Sequence, residues 1–150
     1  NDLVGRKTAR DGGQTAKAIA GQIEQTEKQL KAHSDVRCHA VAKRLAAARE
    51  AFLDVVEFFV TESKSNPNAV YAGSVPYLML AGNLMSGWQM ARAMLVALEH
   101  IAKGDDVAFM QAKVTTARFY ADHILSKAPG VRDSIVAGAD SVTEMALEAF

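Results

Sequence analysis

Apolar residues recur every three or four positions through most of the chain, the spacing that lays them along one face of an α-helix. Ile19, Ile23, Thr26 and Leu30 mark such a face in a helix expected over residues 14–33, with Lys and Gln on its other side. Ser34 and Asp35 offer the next helix start. After them Cys38, Val41, Leu45, Ala48, Phe52, Val55 and Phe59 alternate strictly by three and four. This second helix spans about 28 residues, or roughly 40 Å, and ends in the breakers at residues 63–67. Asn66 before Pro67 predicts a cap and a first-turn proline for a short helix over residues 67–72. A third long helix is expected to open at Pro76 and to stop at Gly104. Its main seam is Tyr77, Ala81, Leu84, Trp88, Ala91, Leu95, Leu98 and Ala102, with Leu80, Gly87, Met94 and Ile101 beside it. Asp105 or Asp106 is placed to cap a fourth helix, where Val107, Met110, Val114, Ala117, Ala121 and Ile124 alternate again until Ala128, Pro129 and Gly130 end it. A short helix over residues 132–137 follows, and Ser141 with Glu144 has the capping-box spacing for a last one reaching Phe150. Residues 1–13, polar and interrupted by Gly5, Gly12 and Gly13, read as a lead-in to a bundle domain over residues 14–150. No strand alternation occurs, so four long amphipathic helices with short links predict an all-α fold, an up-down four-helix bundle with short C-terminal helices.

One stretch departs from the amphipathic pattern. Residues 65–91 contain no Asp, Glu, Lys or Arg, and residues 76–91 are apolar on nearly every side. A surface helix keeps a polar face toward water, so this segment is expected to be the central helix, wrapped by the others. Gly82, Ser86, Gly87 and Ala91 are notches that admit a neighbouring backbone closely. Tight packing within the bundle is their plain reading, and a docking groove for another subunit or domain is the alternative. Tyr77 and Trp88 carry polar atoms that need partners when buried, which makes them core residues first and interface residues second. Tyr77, Gly82, Ser86, Gly87 and Trp88 are thus the interface candidates. The stretch is long enough to cross a bilayer, but Ser74, Pro76, Asn83, Ser86, Gln89 and its glycines argue against a membrane span.

Charge and inventory narrow the function classes. Lys plus Arg and Asp plus Glu both number 17, so no net field favours nucleic acid or an acidic membrane surface. The single Cys38 cannot form an internal disulfide and no signal peptide is visible, which together predict a cytoplasmic protein. A first residue other than Met suggests a piece of something longer. A di-metal site in a bundle needs Glu-x-x-His pairs, and none of His33, His39, His100 or His123 has an acid three residues before it. Cys38 and His39 are adjacent and project about 100° apart on a helix, a poor start for zinc. Arg37, Lys43 and Arg44 read as a solvated face. Gly12 and Gly13 before a helix are a weak anion-binding hint and more simply a hinge. No catalytic, cofactor-binding or metal residue is readable.

Two stretches resemble a known family. Residues 2–13, Asp-Leu-Val-Gly-Arg-Lys-Thr-Ala-Arg-Asp-Gly-Gly, resemble the segment that follows the motif Tyr-Glu-Gly-Thr-Asn-Gly-Ile-Gln in one bacterial-type branch of the acyl-CoA dehydrogenases. The remainder resembles the extra C-terminal helical domain of that branch. Pro76-Tyr-Leu, Gly82, Gly87-Trp88 and Ala91-Arg92 look like the family's central helix, Arg118-Phe-Tyr-Ala121 with Ile124-Leu125 like the next, and residues 138–142 like its closing turn. Ser126 to Pro129 departs from the family's usual proline placement and shifts a boundary. The resemblance implies a parent enzyme that uses FAD to remove two hydrogens from an acyl-CoA thioester, with a catalytic glutamate upstream of Asn1 and an electron-transfer flavoprotein as acceptor. It implies that this chain is an inactive accessory domain without its own cofactor, packed on the catalytic domains or at a subunit interface of a homo-oligomer. The alternative is a free-standing helical interaction module that dimerises through the helix of Tyr77 to Ala91.

Overall fold

The computed structural model describes residues 1–149, and those residues contain helices and no strand. The four long helices are α1 (Gln14–Ala32), α2 (Val36–Glu62), α4 (Ser74–Lys103) and α5 (Val107–His123). Three short ones are α3 (Pro67–Ala72), α6 (Ala128–Val136) and α7 (Ala139–Thr143). A π-helix (Asp2–Ala9) precedes them, and 3-10 turns lie at Leu125–Lys127 and Leu147–Ala149.

Local chemistry sets most of the boundaries. The Asp35 carboxylate accepts the Arg37 N–H at 2.8 Å and caps α2. It also takes the Arg37 guanidinium at 2.6 Å, and this charge-assisted bond holds its carboxyl at about 2, below the usual carboxylate range. Asn66 accepts from the Ala69 N–H ahead of Pro67 and so opens α3. Gly104 closes α4 in the left-handed region at φ 78°, which glycine adopts without a side-chain penalty.

Helix α2 is the hub. Its predicted seam is buried throughout: Cys38, Val41, Leu45, Ala48, Phe52, Val55 and Phe59 are each 4% exposed or less. Ala42, Ala51 and Val56 widen that stripe, and the helix touches the π-helix, α1, α3, α4, α5 and α6. Its partners run in alternating directions. Glu27 of α1 pairs with Arg49 while Lys17 pairs with Glu57, which sets α1 antiparallel to α2. Asn83 meets Tyr120 while Val96 and Ala97 lie against Phe109 and Met110, so α4 and α5 are antiparallel too. Helices α2 and α4 face each other across the middle, with α1 on one side and α5 on the other.

The charge-free helix is therefore not the wrapped centre that its composition predicts. Helix α4 buries Tyr77, Leu80, Leu84, Gly87, Ala91, Met94 and Leu98, a three-four stripe that mixes the two expected strips. Ala81, Trp88 and Leu95 are only half-buried, and Ala102 is exposed. The helix also begins at Ser74, two residues ahead of Pro76, because a proline in the first turn has no N–H to waste.

The lead-in of residues 1–13 contains a π-helix that buries Val4 and Thr8 on the bundle. Three other expectations are corrected. Asp106 precedes α5 but makes no side-chain cap, since its own backbone is left-handed at φ 44°, and Asp105 pairs instead with His100 at 3.6 Å. Helix α5 stops at His123, before Ala128, because Leu125 turns inward to fill the notch at Gly87; Pro129 then sits in the first turn of α6. Ser141 lies inside α7 and donates to the Gly138 carbonyl, so it does not open a helix toward Glu144. The expected end of that helix at Phe150 lies outside the described residues.

Candidate docking surface

Helix α4 has two unlike faces. The inner face holds three of the five residues singled out by the sequence. Tyr77 is 1% exposed, stacks on Phe52 at 5.7 Å and meets the edge of Phe59 at 4.8 Å. Its hydroxyl shares a hydrogen bond with Thr8 at 2.9 Å, and burial pushes its pKa above the ordinary phenol value. A Cβ on Gly87 would lie 2.7 Å from both terminal methyls of Leu125, so bare backbone is required there. Trp88 is half-buried, donates to the Thr26 hydroxyl at 2.8 Å and carries Arg92 over its ring at 5.7 Å.

The outer face holds the other two. Gly82 and Ser86 are exposed, and a Cβ on Gly82 would meet nothing within 4 Å. They sit in a continuous strip of exposed, uncharged residues: Val75, Leu78, Met79, Gly82, Ser86, Gln89, Ala93 and Val96. Val75, Leu78 and Met79 are 69%, 57% and 59% exposed, so the strip's first half is apolar and bare. The corresponding outer side of α2 carries Lys43, Glu50, Asp54 and Glu57. Beside the first half of the strip, Leu3 and Lys7 of the π-helix, Ile19 of α1, and Ala81 and Met85 of α4 line a cavity of about 180 Å³. Farther along, open grooves flank Val96 on both sides, one against Gln29 and Ala32 of α1 and one against Phe109 and Met110 of α5.

The sequence pattern missed a buried ion pair. Glu27 is 1% exposed, and both its oxygens accept from Arg49, at 2.7 and 3.1 Å. Glu27 lies four residues after Ile23 and three before Leu30, both on the α1 seam, so the spacing placed it on the buried face although its charge argued for the surface. The pair ties α1 to α2, and Arg49 also lines an open groove with Lys17, Glu24, Asp54 and Glu57.

No group of three or more His, Cys, Asp or Glu that could hold a metal ion exists among the described residues. His33 accepts the Asp35 N–H at 3.0 Å, and His39 meets the His33 carbonyl at 2.8 Å. The Cys38 thiol is fully buried and its pKa is pushed up by that burial, which makes it a poor nucleophile. Both glycines of the Gly12–Gly13 junction are left-handed. A Cβ on Gly13 would lie 2.7 Å from Val56, so this glycine serves close packing and its left-handed φ of 77°. The Asp11 carboxylate already occupies the first turn of α1, accepting from the Thr15 N–H and hydroxyl, and would repel a phosphate. No helix among the described residues is long and apolar enough to cross a membrane.

Comparison with known proteins places these features in a family context. The family described as acetyl-CoA dehydrogenase C-terminal like matches residues 16–146. A 3-methylmercaptopropionyl-CoA dehydrogenase of Ruegeria pomeroyi is 41% identical over 98% of this chain and 25% of its own length. A broad-specificity linear acyl-CoA dehydrogenase, FadE5, of Mycobacterium tuberculosis is 30% identical over 99% of this chain and 26% of its own length. The chain thus spans about a quarter of the length of the curated relatives it matches.

Proposed function

The chain belongs to the acetyl-CoA dehydrogenase C-terminal like family, and on that premise we propose that it is the accessory C-terminal domain of an FAD-dependent acyl-CoA dehydrogenase. In this reading the parent enzyme performs α,β-dehydrogenation of an acyl-CoA thioester in the cytoplasm and passes electrons to an electron-transfer flavoprotein. The domain packs on the catalytic body, or at a subunit interface of a homo-oligomer, and contributes no catalytic or flavin-binding group. The observation that carries the reading is the mismatch of coverage: nearly the whole chain aligns, to only 25% of one dehydrogenase and 26% of another. Its own chemistry supports a structural role, since the polar atoms of Tyr77, Trp88, Glu27 and Arg49 are spent on bonds that tie one element of the domain to another.

The test compares the isolated chain with the polypeptide encoded by the full reading frame. The full polypeptide is expected to retain FAD and to reduce an artificial electron acceptor when given acyl-CoA. The isolated chain is expected to carry no flavin absorbance and no such activity. Stoichiometric flavin in the isolated chain, or a reading frame that lacks a Tyr-Glu-Gly-Thr motif upstream, overturns the proposal.

A further inference from the structure

We propose that the uncharged outer strip of α4, from Val75 to Val96, is the surface on which the catalytic body preceding this domain in the same polypeptide docks, through an apolar helix that crosses over Gly82. This assignment rests on the accessory-domain reading above and names the face it uses.

Three observations converge on this occupant. The first is the bare glycine. Glycine in mid-helix is unfavourable because it costs backbone entropy, and a Cβ at Gly82 would touch nothing in this chain. Gly21 of α1 is equally bare but lies among exposed Lys17, Gln25 and Lys28, whereas Gly82 lies between exposed Leu78, Met79 and Ser86, so only at Gly82 does the open backbone coincide with an apolar surface that a crossing helix can approach closely. The second is position. The π-helix (Asp2–Ala9), through which preceding polypeptide enters the domain, lies beside this half of α4: Leu3 lines a cavity with Ala81 and Met85, and Thr8 is bonded to Tyr77. The bulky bare residues Val75, Leu78 and Met79 occupy that same half of the strip. The third is area. A strip about 32 Å long and about 10 Å wide offers roughly 300 Å². That matches one side of the smaller interfaces between domains of one chain, about 300 Å² per side, and falls well short of the roughly 800 Å² per partner of a stable complex between free proteins. A tethered partner needs less surface, because the linker supplies a high effective concentration.

The experiment is thiol labelling of Gly82→Cys, with Gly21→Cys on α1 as an exposed control, in both the isolated chain and the full-length enzyme. Both glycines have open space for a Cβ, and Cys38 is buried and stays silent. In the isolated chain both new thiols should react at similar rates, independent of protein concentration. In the full-length enzyme the thiol at 82 should slow at least tenfold while the one at 21 should not. Equal labelling of position 82 in the two proteins overturns the assignment. Protection that appears in the isolated chain and grows with its concentration also overturns it, in favour of a second copy as the occupant. Flavin content and acyl-CoA-dependent activity, measured on the same full-length samples, report separately on the accessory-domain reading, so the two can fail independently.

Discussion

Two glycines on α4, five positions apart, show how a residue acquires meaning only from what surrounds it. Gly87 faces Leu125, whose methyls would lie 2.7 Å from a Cβ, while Gly82 faces open space. The same substitution should therefore have opposite effects at the two sites. Gly87→Leu forces bulk into a filled core, and overpacking costs about 1–3 kcal/mol, or a fall of roughly 2–10 °C in Tm for a domain of this size. Gly82→Leu meets no neighbour and replaces a poor helix former, a gain of up to about 1 kcal/mol, so the isolated chain should melt at the same temperature or slightly higher. Thermal denaturation of both variants checks the pair; equal losses would mean that α4 is rotated from the orientation described. The sequence grouped both glycines among the small notches but put only Gly87 in an apolar strip, with Leu80 and Met94, and left Gly82 without a face. Periodicity gives the phase of a helix only to within the width of its apolar stripe, and the part of α4 before Arg92 has no charged residue to mark a polar edge.

At the scale of elements, legibility followed the contrast between faces. Helix α2 was readable to the residue because its apolar positions alternate strictly and charged residues fill the gaps: all seven seam residues are buried. The π-helix was not, because Leu3 and Val4 are too few to show a period and Gly5 interrupts them. Its burial depends on a partner distant in sequence, the Tyr77 hydroxyl, 69 positions from Thr8. That bond gives the element a measurable signature. Thr8→Val removes one partner and leaves a buried phenol hydroxyl unsatisfied, which costs about 1–3 kcal/mol. Tyr77→Phe alone leaves the Thr8 hydroxyl, itself only 3% exposed, without that partner and should cost a similar amount. The double variant removes both polar groups and should recover most of the loss seen in Thr8→Val. Urea denaturation of the four proteins completes the cycle. Additive losses would show that the two hydroxyls are not coupled and that the π-helix does not hold this position in solution. Helix ends were less legible than helix bodies for a related reason: Asp106 and Ser141 have capping chemistry, but the backbone at Asp106 is left-handed and Ser141 already lies within α7.

For the whole molecule, the informative comparison is between the outer sides of the two central helices. That of α2 is charged and tied by Arg132 to Asp54 at 2.6 Å, as expected of a surface that meets water. That of α4 carries no charge from Val75 to Val96 except Arg92, which lies over the Trp88 ring and donates to Gln89 at the far half of the strip. The sequence announced this excess of apolar residues, and the expectation that the rest of the bundle wraps it fails at Val75, Leu78 and Met79, which stay exposed. Leu78 and Met79, at 57% and 59% exposed, contribute little to the isolated fold. Replacing both with Gln should leave the isolated chain within about 0.5 kcal/mol of the unaltered one, the usual range for surface positions. Within the full-length enzyme the same double change places two amides against an apolar partner, and burying an amide without a hydrogen bond costs about 1–3 kcal/mol on the protein scale. The full-length variant should therefore melt several degrees lower, or lose protection of α4 to proteolysis, while the isolated variant melts unchanged. A loss in the isolated chain equal to that in the enzyme would place Leu78 and Met79 in the domain's own core and leave the strip without a docking role.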